Sequence, residues 1–344
     1  RKGIIMIAQL NRVYLKTFPG KIFSRLYSYF FVEGRPATTK GRWFNPVTFA
    51  MLRLASKSKS VKEAESPLFI TGTGRSGSTI LGLVLSTHRD VMFLNEPKAM
   101  WYVANPADDI IGSYSKAGGQ YMMQGSDVVN GCAREIKGVY SQAMKLTGTK
   151  QIVDKYPEML FRTDYLCEIF SKPRFIFLSR NASDTIASTT NWSVKHRIED
   201  AKEDWWGVDE KKWLLMLEQV VPYDTDLAPH IDLIRGMTSQ SERAAVEWIV
   251  SMNHGLKQLL KYPDLFLRVR YEDLCENSDR ELSRICDFAG IQVDEKMLGY
   301  GRETIRKQNI HHHPHIHPVL VEAVNKVSHR LGYGSTPELM SVTE

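Results

Sequence analysis

Cysteine is scarce in this chain: four occur in 344 residues, at positions 132, 167, 275 and 286. They lie too far apart to form a metal-binding pattern or a disulfide framework. Long apolar runs are also missing. None approaches the roughly 20 residues that cross a bilayer, and the stretch Ile4 to Ala8 is too short for the core of a secretory signal. There is no internal repeat, and no low-complexity tract beyond the local run His311 to His317. Acid is nearly absent from the N-terminal part, where the first 62 residues carry 13 Lys and Arg against the single acid Glu33. The formal charge of +6 therefore divides into a basic arm of +12 and a mildly acidic remainder of −6. These absences exclude a disulfide-stapled scaffold, a zinc module and a solenoid. With 43% hydrophobic residues, the chain has the makings of a globular α/β protein with one large core or two modest ones.

The most informative run is Leu68-Phe-Ile-Thr-Gly-Thr-Gly-Arg-Ser-Gly-Ser-Thr79, in which an apolar strand ends in a glycine-rich loop that opens into a helix over Ile80 to Ser86. Free N–H groups and the positive end of the helix dipole make such a turn an anion cradle, and glycines let its backbone approach a phosphate. The spacing Gly72-x-x-x-x-Gly77 is that of a Walker A loop, yet Ser78 and Thr79 stand where the Walker lysine would begin. Arg75, inside the loop, is the nearest cation. A nucleotide donor other than ATP suits this pattern.

Further along, Asp90 to Glu96 reads as a second short strand ending in a carboxylate, Asp127 to Leu146 as a helix, and Gln151 to Lys155 as a third strand ending in a cation. A helix from about Met159 to Phe170 leads into a buried strand over Arg174 to Arg180. Strands alternating with helices imply a P-loop-type three-layer α/β fold, with helices on both faces of a parallel sheet. Ligands of such sheets bind outside the carboxyl ends of the strands, where Glu96, Lys155 and Arg180 all fall. Residues 193–240, with Trp205, Trp206 and Trp213, read as a helical cap. The tryptophans serve equally as cap core or as a platform for an acceptor. Ser241 to Leu260 reads as a long helix, Leu265 to Tyr271 as a strand and Asp279 to Ala289 as a helix. The expected organisation is an arm and linker over residues 1–65 and one domain over 66–344, with a lid or tail from about residue 300.

In its motifs the chain resembles the sulfotransferases that use 3′-phosphoadenosine 5′-phosphosulfate (PAPS), of the Golgi and bacterial type. Thr71 to Thr79 looks like their 5′-phosphosulfate loop, and Arg180-Asn-Ala-Ser-Asp-Thr-Ile-Ala-Ser188 like their 3′-phosphate motif. Val91 to Glu96 is similar to the strand that carries the carboxylate base of tyrosylprotein sulfotransferases. Val269 to Leu274 and Asp287 to Ile291 resemble their later core. The resemblance covers roughly Pro67 to Ile291. It implies Glu96 as general base, with Lys155 and Arg75 on the sulfonate and the bridging or leaving oxygens. It implies a 5′-phosphate cradle of the N–H groups of Gly74, Arg75, Ser76, Gly77, Ser78 and Thr79 with the last two hydroxyls, a 3′-phosphate site of Arg180 and Ser188, and Tyr271 near the adenine. Lys155 is followed by Tyr156 and Pro157, not by the histidine base of the cytosolic enzymes. The glycine-rich C-terminal cofactor motif of that branch is missing, and Arg302, Arg306 and Lys307 are its loosely placed substitutes.

Glu96 also suits a surface carboxylate, Lys155 a strand-end lysine, Arg180 a partner of Asp184, Asp154 a structural acid and His88 a helix end. The reaction expected is sulfonate transfer from PAPS, without a metal, to a hydroxyl on a carbohydrate, glycolipid, peptidyl tyrosine or small metabolite. A magnesium-dependent kinase or other P-loop NTPase is the alternative, as is a noncatalytic nucleotide-binding protein attached to a membrane. No nucleic-acid partner is expected. The arm, with Tyr14, Leu15, Phe18, Ile22, Phe23, Leu26, Tyr27, Phe30 and Phe31 among its charges, has two readings: helices packed on the domain, or peripheral contact with an anionic membrane. The His311 to His317 run is expected as an exposed or site-lining loop. Sequons at Asn181 and Asn191 fall beside the donor site, where a glycan would obstruct binding. This favours the cytoplasm, with the Golgi lumen as the alternative if an anchor upstream of Arg1 has been removed.

Overall fold

The computed structural model describes residues 10–33, 45–116, 118–199, 205–307, 314–334 and 340–341. Its centre is a sheet of five parallel strands, β1 (Leu68–Gly72), β2 (Val91–Asn95), β3 (Gln151–Lys155), β4 (Arg174–Ser179) and β5 (Phe266–Arg270), in the order β2-β3-β1-β4-β5. Ahead of β1 lie α1 (Arg12–Thr17), α2 (Pro19–Tyr27), a wider helical turn over Ser28–Val32, and α3 (Asn45–Ala55). β1 leads into α4 (Ser78–Leu85) and β2 into α5 (Lys98–Ala104); α6 (Cys132–Thr147) precedes β3, α7 (Thr163–Ile169) precedes β4, and α8 (Ala182–Glu199) follows it. The cap holds α9 (Lys211–Gln219) and α10 (Ile231–Arg235), and the chain returns through α11 (Gln240–Lys261). After β5 come α12 (Tyr271–Glu276), α13 (Ser278–Ala289), α14 (Glu295–Thr304) and α15 (Pro318–Arg330).

Each strand alternates its side chains between two cores, as a sheet covered on both faces requires. Phe69, Met92, Leu94, Ile152, Phe175 and Phe177 enter one core with Trp101, Tyr140 and Trp248. Leu68, Ile70, Val91, Phe93, Val153, Ile176 and Leu178 enter the other with Leu81, Val84 and Leu282. The register Asn95 to Lys155, Ile70 to Lys155 and Gly72 to Leu178 brings the polar strand ends to one margin. At Gly72, with φ +138°, a Cβ would fall 2.4 Å from the Leu178 carbonyl oxygen, so β1 and β4 meet closest where the loop begins.

Boundaries differ from the sequence expectation where turn chemistry intervenes. The helix expected from Asp127 starts at Cys132, behind Gly131 in the left-handed region at φ +89°. The one expected over Met159 to Phe170 is a tight 3₁₀ turn, Pro157–Arg162, followed by α7. α8 runs on to Glu199, past the expected start of the cap. His311 to His313 of the histidine run lie outside the described residues. His315 presents its carbonyl oxygen to Ser241, and His317 caps α15 by accepting from the Val319 N–H.

The arm packs on the domain, and its partner is the exposed edge of β2. That strand has β3 on one side only, so Val91, Phe93 and Asn95 turn unpaired backbone groups outward. Side chains of the arm satisfy them in sequence. Lys21 Nζ donates to the Val91 carbonyl at 2.7 Å, Ser28 Oγ and Arg25 Nη1 donate to the Phe93 carbonyl at 2.9 and 3.3 Å, and Glu33 Oε1 accepts the Asn95 N–H at 2.9 Å. Arg25 and Glu33 form a fully buried ion pair at 2.5 Å. Tyr14, completely buried, reaches Ser86 at the C-terminal end of α4. The expected linker also packs down: Val61 donates its N–H to Ser141 Oγ, and Gly138 of α6 makes room for the Ser56 backbone.

Candidate active site

All five strands deliver a site residue at their carboxyl ends. The loop after β1 owes its shape to three residues with positive φ: Gly72, Arg75 at +64° and Gly77 at +95°. Gly77 caps α4 without a side-chain hydrogen bond, so the first-turn N–H groups of Ser78 and Thr79 lack intrahelical acceptors and project from the helix start. Two aromatic rings press against this loop. A Cβ on Gly74 would fall 2.4 Å from the Trp205 indole, and one on Gly77 would fall 2.4 Å from the Tyr271 ring. These glycines therefore serve ring contact from the cap and from the end of β5, a cause that the sequence pattern alone does not reveal.

Glu96 follows β2 in the left-handed region at φ +52°, an uncommon state for a residue with a Cβ. Its N–H donates to the Lys155 carbonyl at 2.7 Å, which fixes the turn to the neighbouring strand. Its carboxylate forms a close ion pair with Lys155 Nζ, the latter nearly buried. Lys98, at the start of α5, stands 3.5 Å from the other carboxylate oxygen. That second cation was missed in the sequence, although its place two residues after Glu96 and directly after Pro97 put it within reach.

On the other side of the loop, Arg180 follows β4. Its Nη1 donates to the Arg75 carbonyl at 3.3 Å and its Nη2 pairs with Asp184 at 3.1 Å, while its guanidinium covers the Tyr271 ring at 4.6 Å. Arg75 Nε donates to Ser188 Oγ at 3.2 Å. Arg75, Arg180, Ser188 and Tyr271 thus form one cluster, and Trp248 Nε1 holds the Arg180 carbonyl from behind. Partial loss of hydration, and then the nearby positive charge of Arg180, pull the Arg75 guanidinium below its ordinary range. Two guanidiniums crowd one turn in which Asp184 is paired with only one of them, a setting that favours an anion. Thr73 Oγ1, Ser183 Oγ and Arg180 Nε are buried in or beside these turns without a hydrogen-bond partner among the described residues.

Other candidates resolve into structural roles. The N-terminus of α8 is already capped, because Asn181 Oδ1 accepts the Asp184 N–H, and the Asn181 amide donates to both Asp184 and Glu272. A glycan on Asn181 would break both amide contacts. Asn191 is exposed. His88 accepts the Asp90 N–H at Nδ1, so its Nε2 carries the proton and donates to the Gln292 carbonyl. Trp206 and Trp213 are buried in the cap, and only Trp205 reaches the loop. Its indole donates to Glu247, which also pairs with Lys212. Arg302 turns away to Asp279, whereas the Arg306 carbonyl accepts from the Tyr271 hydroxyl at 3.0 Å.

Asp154, beside Lys155 but on the opposite face of the sheet, is completely buried and accepts from Tyr140 and Trp101. Burial pushes its carboxyl up to about 7 despite those two hydrogen bonds. The folded chain keeps this proton to about pH 7 and the unfolded chain only to about pH 4. The stability it contributes is complete below about pH 4 and is lost as pH rises through about 7. Melting temperature should fall across that window in the wild type, and Asp154→Asn should flatten the profile. Melts at a series of pH values check this.

A parallel α/β sheet with a glycine-rich anion loop at its carboxyl margin defines a P-loop-type fold. The model of the sulfotransferase family matches residues 67–221, the segment that carries the strand-to-helix turns after β1 and β4. No curated protein matches the chain significantly. Similar solved structures include the sulfotransferase domain from the curacin biosynthetic pathway, at 17% identity over 79% of this chain and 99% of that one, with a TM-score of 0.46. The sulfotransferase domain of the Synechococcus PCC 7002 olefin synthase matches at 16% identity over 80% and 98%, with a TM-score of 0.46. Sulfotransferase STF9 from Mycobacterium avium matches at 11% identity over 90% and 85%, with a TM-score of 0.46. No described helix is long and apolar enough to cross a membrane, and no described group of His, Cys, Asp and Glu has the form of a metal site.

Proposed function

We propose that this protein transfers a sulfonate from PAPS to the hydroxyl of an acceptor, with Glu96 as general base. The observation that carries this reading is the meeting of the Glu96–Lys155 pair with a lysine-free P-loop whose own cation is Arg75 and onto which Arg180 reaches from the end of β4. The buried, unpartnered polar atoms of Thr73, Ser183 and Arg180 fit a ligand rich in anionic oxygen.

PAPS supplies a sulfonate activated by its bond to a phosphate leaving group. The loop N–H groups from Gly74 to Thr79, with the Ser78 and Thr79 hydroxyls, hold the 5′-phosphate, while Arg180 and Ser188 select the 3′-phosphate and Tyr271 walls the base. Glu96 takes the acceptor proton as the acceptor oxygen bonds to sulfur. Lys155 and Arg75 neutralise the charge that grows as the sulfur–oxygen bond to phosphate breaks. The products are a sulfate ester and adenosine 3′,5′-bisphosphate, and the proton remains on Glu96. The ion pair supplies an order to these events. While Lys155 neutralises the carboxylate, Glu96 is a poor base. Movement of the lysine to the sulfonate frees it, leaving Lys98 as its neighbouring cation.

Adenosine 3′,5′-bisphosphate, without metal, should raise the melting temperature, by the equivalent of about 2.7 kcal/mol at 100 times its Kd, whereas ATP with magnesium should leave it unchanged. The opposite ranking would assign the loop to a kinase or NTPase.

A further inference from the structure

The side of the arm turned away from the sheet is apolar and cationic. Phe23, Tyr27 and Phe31 recur at intervals of four residues, with successive ring centroids 6.2 and 5.6 Å apart. Phe23 is 59% and Phe31 40% exposed. Packed beside them, α3 repeats the pattern with Val47, Met51 and Leu54, the last 68% exposed. The inner sides of these helices are already used: Arg25, Ser28 and Glu33 serve the β2 edge, and Thr48 and Leu52 are buried. Arg53 and Lys57 are exposed on α3 and the turn after it, and Arg12 and Lys16 are exposed on α1, the helix that precedes α2. Among the described arm residues up to Ser60, the one acid is Glu33, locked against Arg25 in the interior. The outward face therefore shows no carboxylate.

We propose that this face docks in the plane of an anionic lipid bilayer. Phenylalanine and aliphatic side chains at its centre would enter the boundary between headgroups and acyl chains, and the flanking Arg and Lys would meet lipid phosphates and carboxylates. A second copy of the chain would set these cations against one another, whereas an anionic bilayer offers negative charge and an apolar layer together. This docking is independent of the reaction at the strand ends.

The test is co-sedimentation of the full chain with phosphatidylcholine vesicles, with and without about 30% phosphatidylserine. Wild-type protein should partition onto the anionic vesicles only, and should be released as ionic strength rises from about 0.1 to about 0.5 M. The double substitution Phe23→Asp and Leu54→Asp, at exposed positions, should reduce partitioning at least about tenfold while leaving the melting temperature unchanged. Absence of wild-type binding to anionic vesicles, or equal binding by the variant, overturns the proposal. So does a wild-type dimer, seen by light scattering, that the double substitution dissociates, since the face would then belong to a second copy.

Discussion

Glu96→Gln is expected to lower turnover by a factor of about 10² to 10⁴, the usual worth of a positioned general base, while binding of adenosine 3′,5′-bisphosphate persists. Glutamine keeps the shape of the side chain and an oxygen that accepts from Lys155, so the turn after β2 and its backbone hydrogen bond to β3 should survive. What it loses is the capacity to take a proton. Lys155→Met should behave differently, weakening donor binding as well as turnover, because the lysine is assigned to the sulfonate and not to the acceptor. Steady-state kinetics with a sulfonate acceptor, together with calorimetric titration of the bisphosphate, separate these outcomes. Turnover of Glu96→Gln within a few-fold of wild type would place the base elsewhere.

The largest loss of stability should come from the arm, at Glu33→Ala. This substitution leaves the Arg25 guanidinium buried without its carboxylate and removes the acceptor of the Asn95 N–H. Breaking one side of a buried ion pair costs about 3–5 kcal/mol, which for a chain of this size lowers the melting temperature by roughly 4–7 °C. Because Asn95 immediately precedes Glu96, the same change should also loosen the site. Arg25→Met with Glu33→Leu, which removes both charges, should recover part of the melting temperature. Thermal and chemical denaturation of the three proteins measure this directly.

The strands were legible because short apolar runs end on polar residues: Gln151 to Lys155 is β3 residue for residue, and the other core strands agree to within a residue. The strand-to-helix turns after β1 and β4 were legible for the same reason, as changes of pattern. Contacts between distant residues were not. Nothing near Glu33 in sequence announces its bond to Asn95, and a helix with one polar and one aromatic side reads alike whether it meets a sheet edge or a membrane. The Trp205 indole against Gly74 and the Tyr271 ring against Gly77 likewise depend on elements that fold together from far apart. The positive φ of Glu96 is set by the bond to Lys155, which no local propensity encodes. Turn residues explain two of the remaining differences, Gly131 and Pro157 each moving a helix start by a few positions.

The family match spans residues 67–221, yet the sheet is finished at both margins by chain outside it. Residues 10–33 seal one flank, and β5 supplies the other. A fragment trimmed to the matched limits would have two raw flanks, with the backbone of β2 and of β4 open to further strands. Such a fragment should polymerise edge to edge, so domain-swapping or grafting experiments on this protein need to carry both seals along.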